Sequence, residues 1–205
     1  MDFEKYINSK VSSKKVLEIG GLGDFIEYSK QDYQEWRHKR LVEHASSVCG
    51  VDINKEGIEF VNKSGFNYNY LNLESTSVDN ELGKFDSILL LDVIEHLNNI
   101  GTSLDNIKQF MTDDAELIVS TPNPMAMNNI VRVLLGKKPN TLADHTVWLD
   151  ETNMRQLAER YDYDIVDVLY FTFRPDMSMK QRTMNFFGSL NKYLHQNFVV
   201  VLKKK

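Results

Sequence analysis

The segment Val16-Leu17-Glu18-Ile19-Gly20-Gly21-Leu22-Gly23-Asp24 decides how this chain is read. Four residues of β-strand character run into a turn with three glycines, which lets the backbone bend sharply and lets a ligand approach main-chain atoms. Two nucleotide patterns are missing. Gly20, Gly21 and Gly23 do not fill G-x-G-x-x-G, and no Gly-Lys-Ser/Thr follows. Glu18 repels a phosphate at this place, whereas it suits a cationic ligand with an amino group. On its own the segment is also consistent with an ordinary tight turn between a strand and a helix.

Outward from this turn, short apolar runs alternate with helix-like stretches. Strands are expected at 15–19, 48–53, 66–73, 85–92, 115–121, 163–173 and 197–202, with helices at 32–46, 54–63, 104–111 and 150–161. Continuous apolar strands separated by helices imply a mostly parallel sheet covered on both faces, an α/β doubly wound fold. Ligands of such sheets lie at the carboxyl ends of the strands, near the point where strand order reverses. The second strand ends in Gly50-Val51-Asp52-Ile53-Asn54. A carboxylate there accepts hydrogen bonds from a ribose hydroxyl pair, or caps the helix that follows.

Composition sets outer bounds. The chain has 205 residues, 42% hydrophobic and 26% charged, with a net charge of −5, which fits one globular domain over 1–205. No apolar run is long enough for a membrane-spanning helix, and no basic-then-apolar leader is seen at the start, so a cytoplasmic location is expected. The single cysteine, Cys49, lies in an apolar run and reads as a core residue. Lys180, Arg182, Lys192, Lys203, Lys204 and Lys205 face Asp176 alone near the end. They suit an anionic surface or, equally, a solvated terminus. Three of the four prolines, Pro122, Pro124 and Pro139, mark 122–149 as a long loop or lid. Residues 174–196 read as a helical insertion before the last strand.

Four motifs in order resemble class I S-adenosylmethionine-dependent methyltransferases: V-L-E-I-G at 16–20, G-V-D-I-N at 50–54, F-D-S-I-L to I-E-H-L over 85–97, and S-T-P-N-P at 120–124. D-H-T-V-W-L-D at 144–150 is similar to a fifth. The resemblance covers about 14–173 and implies a Rossmann-like sheet of seven strands, the last antiparallel, with S-adenosylmethionine as cofactor. It places Glu18, Gly20, Gly21 and Gly23 at the cofactor's amino-acid end, Asp52 and Ile53 at the ribose, Asn72 and Leu73 beside the adenine, and Leu91 and Asp92 near the methionine moiety. Leu22 and Asp24 stand where the commonest family loop has glycines, and a subset of relatives has this looser loop.

Asp92-Val93-Ile94-Glu95-His96 follows the most apolar strand. Three readings stand for it. The residues pack or cap a helix. His96, with Glu95 and His145, takes a proton from a hydroxyl acceptor. Or Asp92, Glu95, His96 and His145 hold a divalent metal, as the resemblance to metal-dependent O-methyltransferases suggests. The reading favoured by the whole is O-methylation of a hydroxyl on a small molecule, glycan or lipid-linked intermediate, with 122–149 binding the acceptor. Metal-dependent methylation of an RNA 2′-hydroxyl is the alternative, disfavoured by the acidic body of the chain. A non-catalytic methyltransferase-like domain is the third. Phe186, Phe187 and Tyr193 cap the acceptor pocket or meet a second copy in a homodimer.

Overall fold

The computed structural model describes residues 3–78, 81–172, 186 and 190–205. In chain order it contains α1 (Phe3–Val11), β1 (Lys15–Ile19), α2 (Phe25–Lys30), α3 (Arg37–His44), β2 (Ser47–Asp52), α4 (Lys55–Lys63), β3 (Tyr68–Tyr70) and β4 (Phe85–Leu91). Then follow a 3-10 turn (Ile94–His96), α5 (Ile100–Lys108), β5 (Met111–Pro122), α6 (Met127–Leu134), α7 (Glu151–Arg160), β6 (Tyr163–Phe171), a second 3-10 turn (Lys192–Leu194) and β7 (Asn197–Lys204).

The strands form one sheet of seven in the order β3-β2-β1-β4-β5-β7-β6. All pairings are parallel except those of β7, which runs antiparallel to β5 and β6. Strand order reverses between β1 and β4, so the crevice that doubly wound sheets offer to ligands opens there.

Alternation along the strands builds two cores. Leu17, Ile19, Ile88 and Leu90 point to one face and pack with Leu104, Ile107 and Met154 from α5 and α7. Val16, Leu89 and Leu91 point to the other and pack with Phe3, Ile7 and Val11 of α1 and Leu41 of α3. Burying one such side chain is worth about 1.5–3 kcal/mol. A third cluster, Leu22, Tyr33, Trp36, Val61 and Tyr68, sits beside the glycine turn.

The sequence places no element before Lys15, yet α1 forms, because Phe3, Ile7 and Val11 recur every four residues and are all buried. The helix expected over 32–46 shortens to α3 at Arg37–His44, and α2 at Phe25–Lys30 forms ahead of it, where no helix was expected. Asp32 and Tyr33 between them take left-handed backbone angles, φ 50 and 58. The third strand shrinks to three residues, and the fifth starts earlier and extends to twelve. The expected loop 122–149 contains α6. Most of the expected insertion 174–196, including Phe187, lies outside the described residues. Among those described, no helix is long and apolar enough to cross a membrane.

Candidate active site

The turn after β1 meets the turn after β4. Gly20 has φ 70 and donates from its amide to Val51 O at 2.8 Å. A Cβ at Gly20 would lie 2.6 Å from Val93 Cγ2. Any side chain there would wedge the two turns apart.

Glu18, expected beside the amino-acid end of a cofactor, is 2% exposed. Its Oε2 accepts from the Tyr68 hydroxyl at 2.8 Å and lies 2.7 Å from His38 Nδ1. Trp36 Nε1 donates to Gly21 O at 2.7 Å. The acid therefore anchors the glycine turn from below, through groups on α3 and β3.

Leu22 and Asp24 also have structural work. Leu22 is buried in the third cluster, where a side chain at Gly57 would crowd its Cδ1. Asp24 caps α2 by accepting from the Glu27 amide at 3.0 Å. The departure from an all-glycine loop thus ties the turn to the domain on both sides.

Asp52 ends β2 at the same edge. Its Oδ1 accepts from the Asn54 amide at 2.9 Å, and among the described residues nothing engages Oδ2. Asn54, not Asp52, caps α4. Ile53 is exposed, and Leu73 and Leu91 are buried. Asn72 Oδ1 accepts from the Glu74 amide at 3.0 Å, leaving its amide nitrogen toward other partners.

Asp92 follows β4 with φ 55, a left-handed conformation that Asp tolerates better than most residues. Its amide donates to both Ser120 O and Ser120 Oγ, and Ser120 Oγ donates to Asp92 Oδ1 at 2.9 Å. Burial raises the Asp92 carboxyl above its usual range, opposed first by the charge of Arg37.

The 3-10 turn after it presents Glu95 and His96. Residues 144–150 reach over this turn. Thr146 and Val147 amides donate to Glu95 O at 2.9 and 3.3 Å, which sets His145 against His96 with ring centroids 4.7 Å apart. His96 Nδ1 is 3.4 Å from Asp144 Oδ2. Thr121 Oγ1 donates to Glu95 Oε2 at 3.0 Å. Burial, with help from Asp92 and Asp144, pushes the Glu95 carboxyl up to about 7. Burial and then His96 hold His145 below the usual imidazole range. One ligand atom each from Glu95, His96 and His145 lie within 4.8 Å of one another. The structure thus brings His145 to the adjacent pair Glu95 and His96, which lie on a separate turn of the chain.

A pocket of about 440 Å³ opens at the same edge, beyond β5. Asn123, Met125, Glu151, Arg155, Tyr170 and Tyr193 are among its lining residues. That volume suits a small-molecule ligand.

A family model described as a methyltransferase domain matches residues 4–168. The chain belongs to this methyltransferase family. It is 23% identical to a ubiquinone biosynthesis O-methyltransferase of Glaesserella parasuis serovar 5 (strain SH0165), over 97% of this chain and 83% of that protein. Its fold is similar to that of magnesium protoporphyrin IX methyltransferase from Synechocystis PCC 6803, whose structure holds S-adenosylhomocysteine. The TM-score is 0.64 at 12% identity, over 99% of this chain and 82% of that one. A S-adenosylmethionine-dependent methyltransferase from Archaeoglobus fulgidus gives 0.59 at 17% identity, over 98% and 91% of the two chains.

For an S-adenosylmethionine-dependent methyltransferase, the residues present fit the cofactor. Gly20 brings no side chain into the turn, and Asp52 Oδ2 has no hydrogen-bond partner among the described residues. Sequence reasoning missed Arg37, His38, Trp36 and Tyr68. They lie in segments read as a polar helix and an apolar strand, and nothing in their local pattern marks them. The pairing of β2 with β3, which sets Tyr68 across from Gly50, brings Tyr68 under the turn. The start of α3 brings the other three. Arg37 Nε is buried without a hydrogen-bond partner among the described residues.

Proposed function

We propose that this methyltransferase, acting as one domain over 1–205, transfers a methyl group to a hydroxyl oxygen of a small molecule or glycan. The observation that carries this reading is the Glu95–His96–His145 cluster, assembled one strand from the glycine turn. S-adenosylmethionine, when bound, supplies an electrophilic methyl group. Gly20, Gly21 and Gly23 offer it main chain, and Asp52 accepts from its ribose. Ile53, Asn72 and Leu73 border the adenine. Asp92, with Leu91 behind it, faces the methionine end, where Arg37 is the cation to meet a carboxylate.

A hydroxyl is a poor nucleophile, so the protein must place it in line and take its proton. His96 is the base: its ring is partly exposed, and Asp144 stabilises the imidazolium once formed. Glu95, whose carboxyl burial raises above its ordinary range, orients the acceptor by hydrogen bonds. Residues 122–149 and Tyr193 shape the acceptor pocket. The O-methyltransferase name of the Glaesserella relative fits this chemistry.

The same cluster favours a metal-assisted form of the reaction. One carboxylate and two imidazoles are a donor set that suits a divalent transition ion. Glu95, His96 and His145 would hold it, and it would acidify the hydroxyl.

Transfer to small phenol and glycoside probes, beside an amine probe, tests the proposal. His96→Gln is expected to lower transfer to oxygen by about 100-fold or more, with affinity for S-adenosylhomocysteine retained. Methylation of the amine alone would overturn the reading. Loss of activity in EDTA, restored by manganese or zinc, selects the metal-assisted form.

A further inference from the structure

Helix α6 is turned inside out. Among its residues only Asn129 is buried, at 7% exposed, while Val133 and Leu134 are exposed, as is Leu135 just after it. Met127, Ile130, Val131 and Leu134 follow helical spacing and form an apolar stripe that the domain does not fully cover. Leu134 is 80% exposed.

This is a braced structure. Asn129 works inward: its Nδ2 donates to Pro124 O at 3.3 Å and its Oδ1 accepts from the Asn140 amide at 2.9 Å. Arg132 Nε donates to Lys138 O at 2.7 Å, closing the segment after the helix back onto it. The domain uses polar bonds to hold the helix with its leucines outward, against the cost of exposing them.

Charge identifies what covers them. From Pro122 to Ala143 there is no acidic residue, but Arg132, Lys137 and Lys138 are present, in a chain of net charge −5. Lys137 and Lys138 are exposed and follow the leucines after Gly136. The segment 174–182 carries Arg174, Lys180 and Arg182 against Asp176, so it is poorly matched to this basic tip. A second copy docking through the same patch on a two-fold axis would bring lysines toward lysines. An anionic lipid surface satisfies both features, taking the leucines into the acyl boundary and the lysines at the headgroups.

We propose that Val133, Leu134 and Leu135, with Lys137 and Lys138, form a docking site for an anionic bilayer surface. Ile130 and Met125 of the same segment line the 440 Å³ pocket, so docking sets that pocket next to the bilayer. The proposal does not depend on which atom is methylated.

The full chain, sedimented with phosphatidylcholine vesicles with and without phosphatidylglycerol, tests it. Binding is expected with phosphatidylglycerol and only weakly without. Leu134→Glu, at an exposed site, should abolish it while leaving affinity for S-adenosylhomocysteine unchanged. Lys137→Gln with Lys138→Gln should weaken it by about 30-fold. No binding to either vesicle, or binding that these variants leave intact, would overturn the proposal. So would a wild-type dimer that Leu134→Glu converts to monomer, since a second copy would then cover the leucines.

Discussion

The Glu18 carboxylate occupies the space that a side chain at Gly21 would need. Gly21 is therefore glycine because of what lies beneath it, and the acid and the turn are one unit. Gly21→Ala forces the carboxylate off Tyr68 and His38. It should destabilise the fold by about 1–3 kcal/mol, as overpacking does, and weaken S-adenosylhomocysteine binding more than an exposed substitution such as Glu43→Ala. Thermal melting and titration calorimetry read both effects.

Tyr68 faces Gly50 in the same way, its ring filling the place of a Gly50 side chain. Its hydroxyl donates to the buried Glu18, and that burial and charge together hold the phenol well above its usual range. Tyr68→Phe leaves the packing but removes a donor to a buried carboxylate. A loss of about 1.5–3 kcal/mol in urea unfolding is expected. A loss within the error of the measurement would show that the hydrogen bond does not anchor the turn.

Stability should carry the signature of Glu95. Its carboxyl is raised to about 7 against an unfolded value of 4.5, so the folded state holds the proton more tightly. The contribution is fully present below 4.5 and is lost as pH rises through about 7, up to about 3 kcal/mol in all. In EDTA-treated protein, wild type should lose stability across that window relative to Glu95→Gln. Parallel curves for the two proteins would contradict the assignment.

Cys49 is buried and accepts from Asn69 Nδ2 at 3.3 Å, and burial raises its thiol. A thiol reagent should label it slowly in the native protein and at once in urea. Rapid native labelling would show that β2 is open at this edge.

The doubly wound sheet was legible because each strand is an apolar run whose neighbours are helical. β1 is read at its true ends, and the start expected for the helix at 150 is where Asp150 caps α7. What escaped notice depends on long-range contacts. α1 looks polar until Phe3, Ile7 and Val11 find the sheet. The third strand looks longer than it is because only Tyr68 to Tyr70 have β2 beside them. Glu95, His96 and His145 could be listed from motifs, but their meeting depends on Thr146 bonding to Glu95 O. The role of Glu18 was the hardest to see, since its partners His38 and Tyr68 lie 20 and 50 residues away.

Gly20 and Asp52 form the edge proposed to bind S-adenosylmethionine. Calorimetric titration of the wild-type chain and Asp52→Ala with S-adenosylhomocysteine tests it most directly. Saturable one-site binding to wild type is expected, with at least about a tenfold loss in the variant, the effect of removing a charge-assisted hydrogen bond. Undiminished binding to Asp52→Ala, or no binding to wild type, would contradict it.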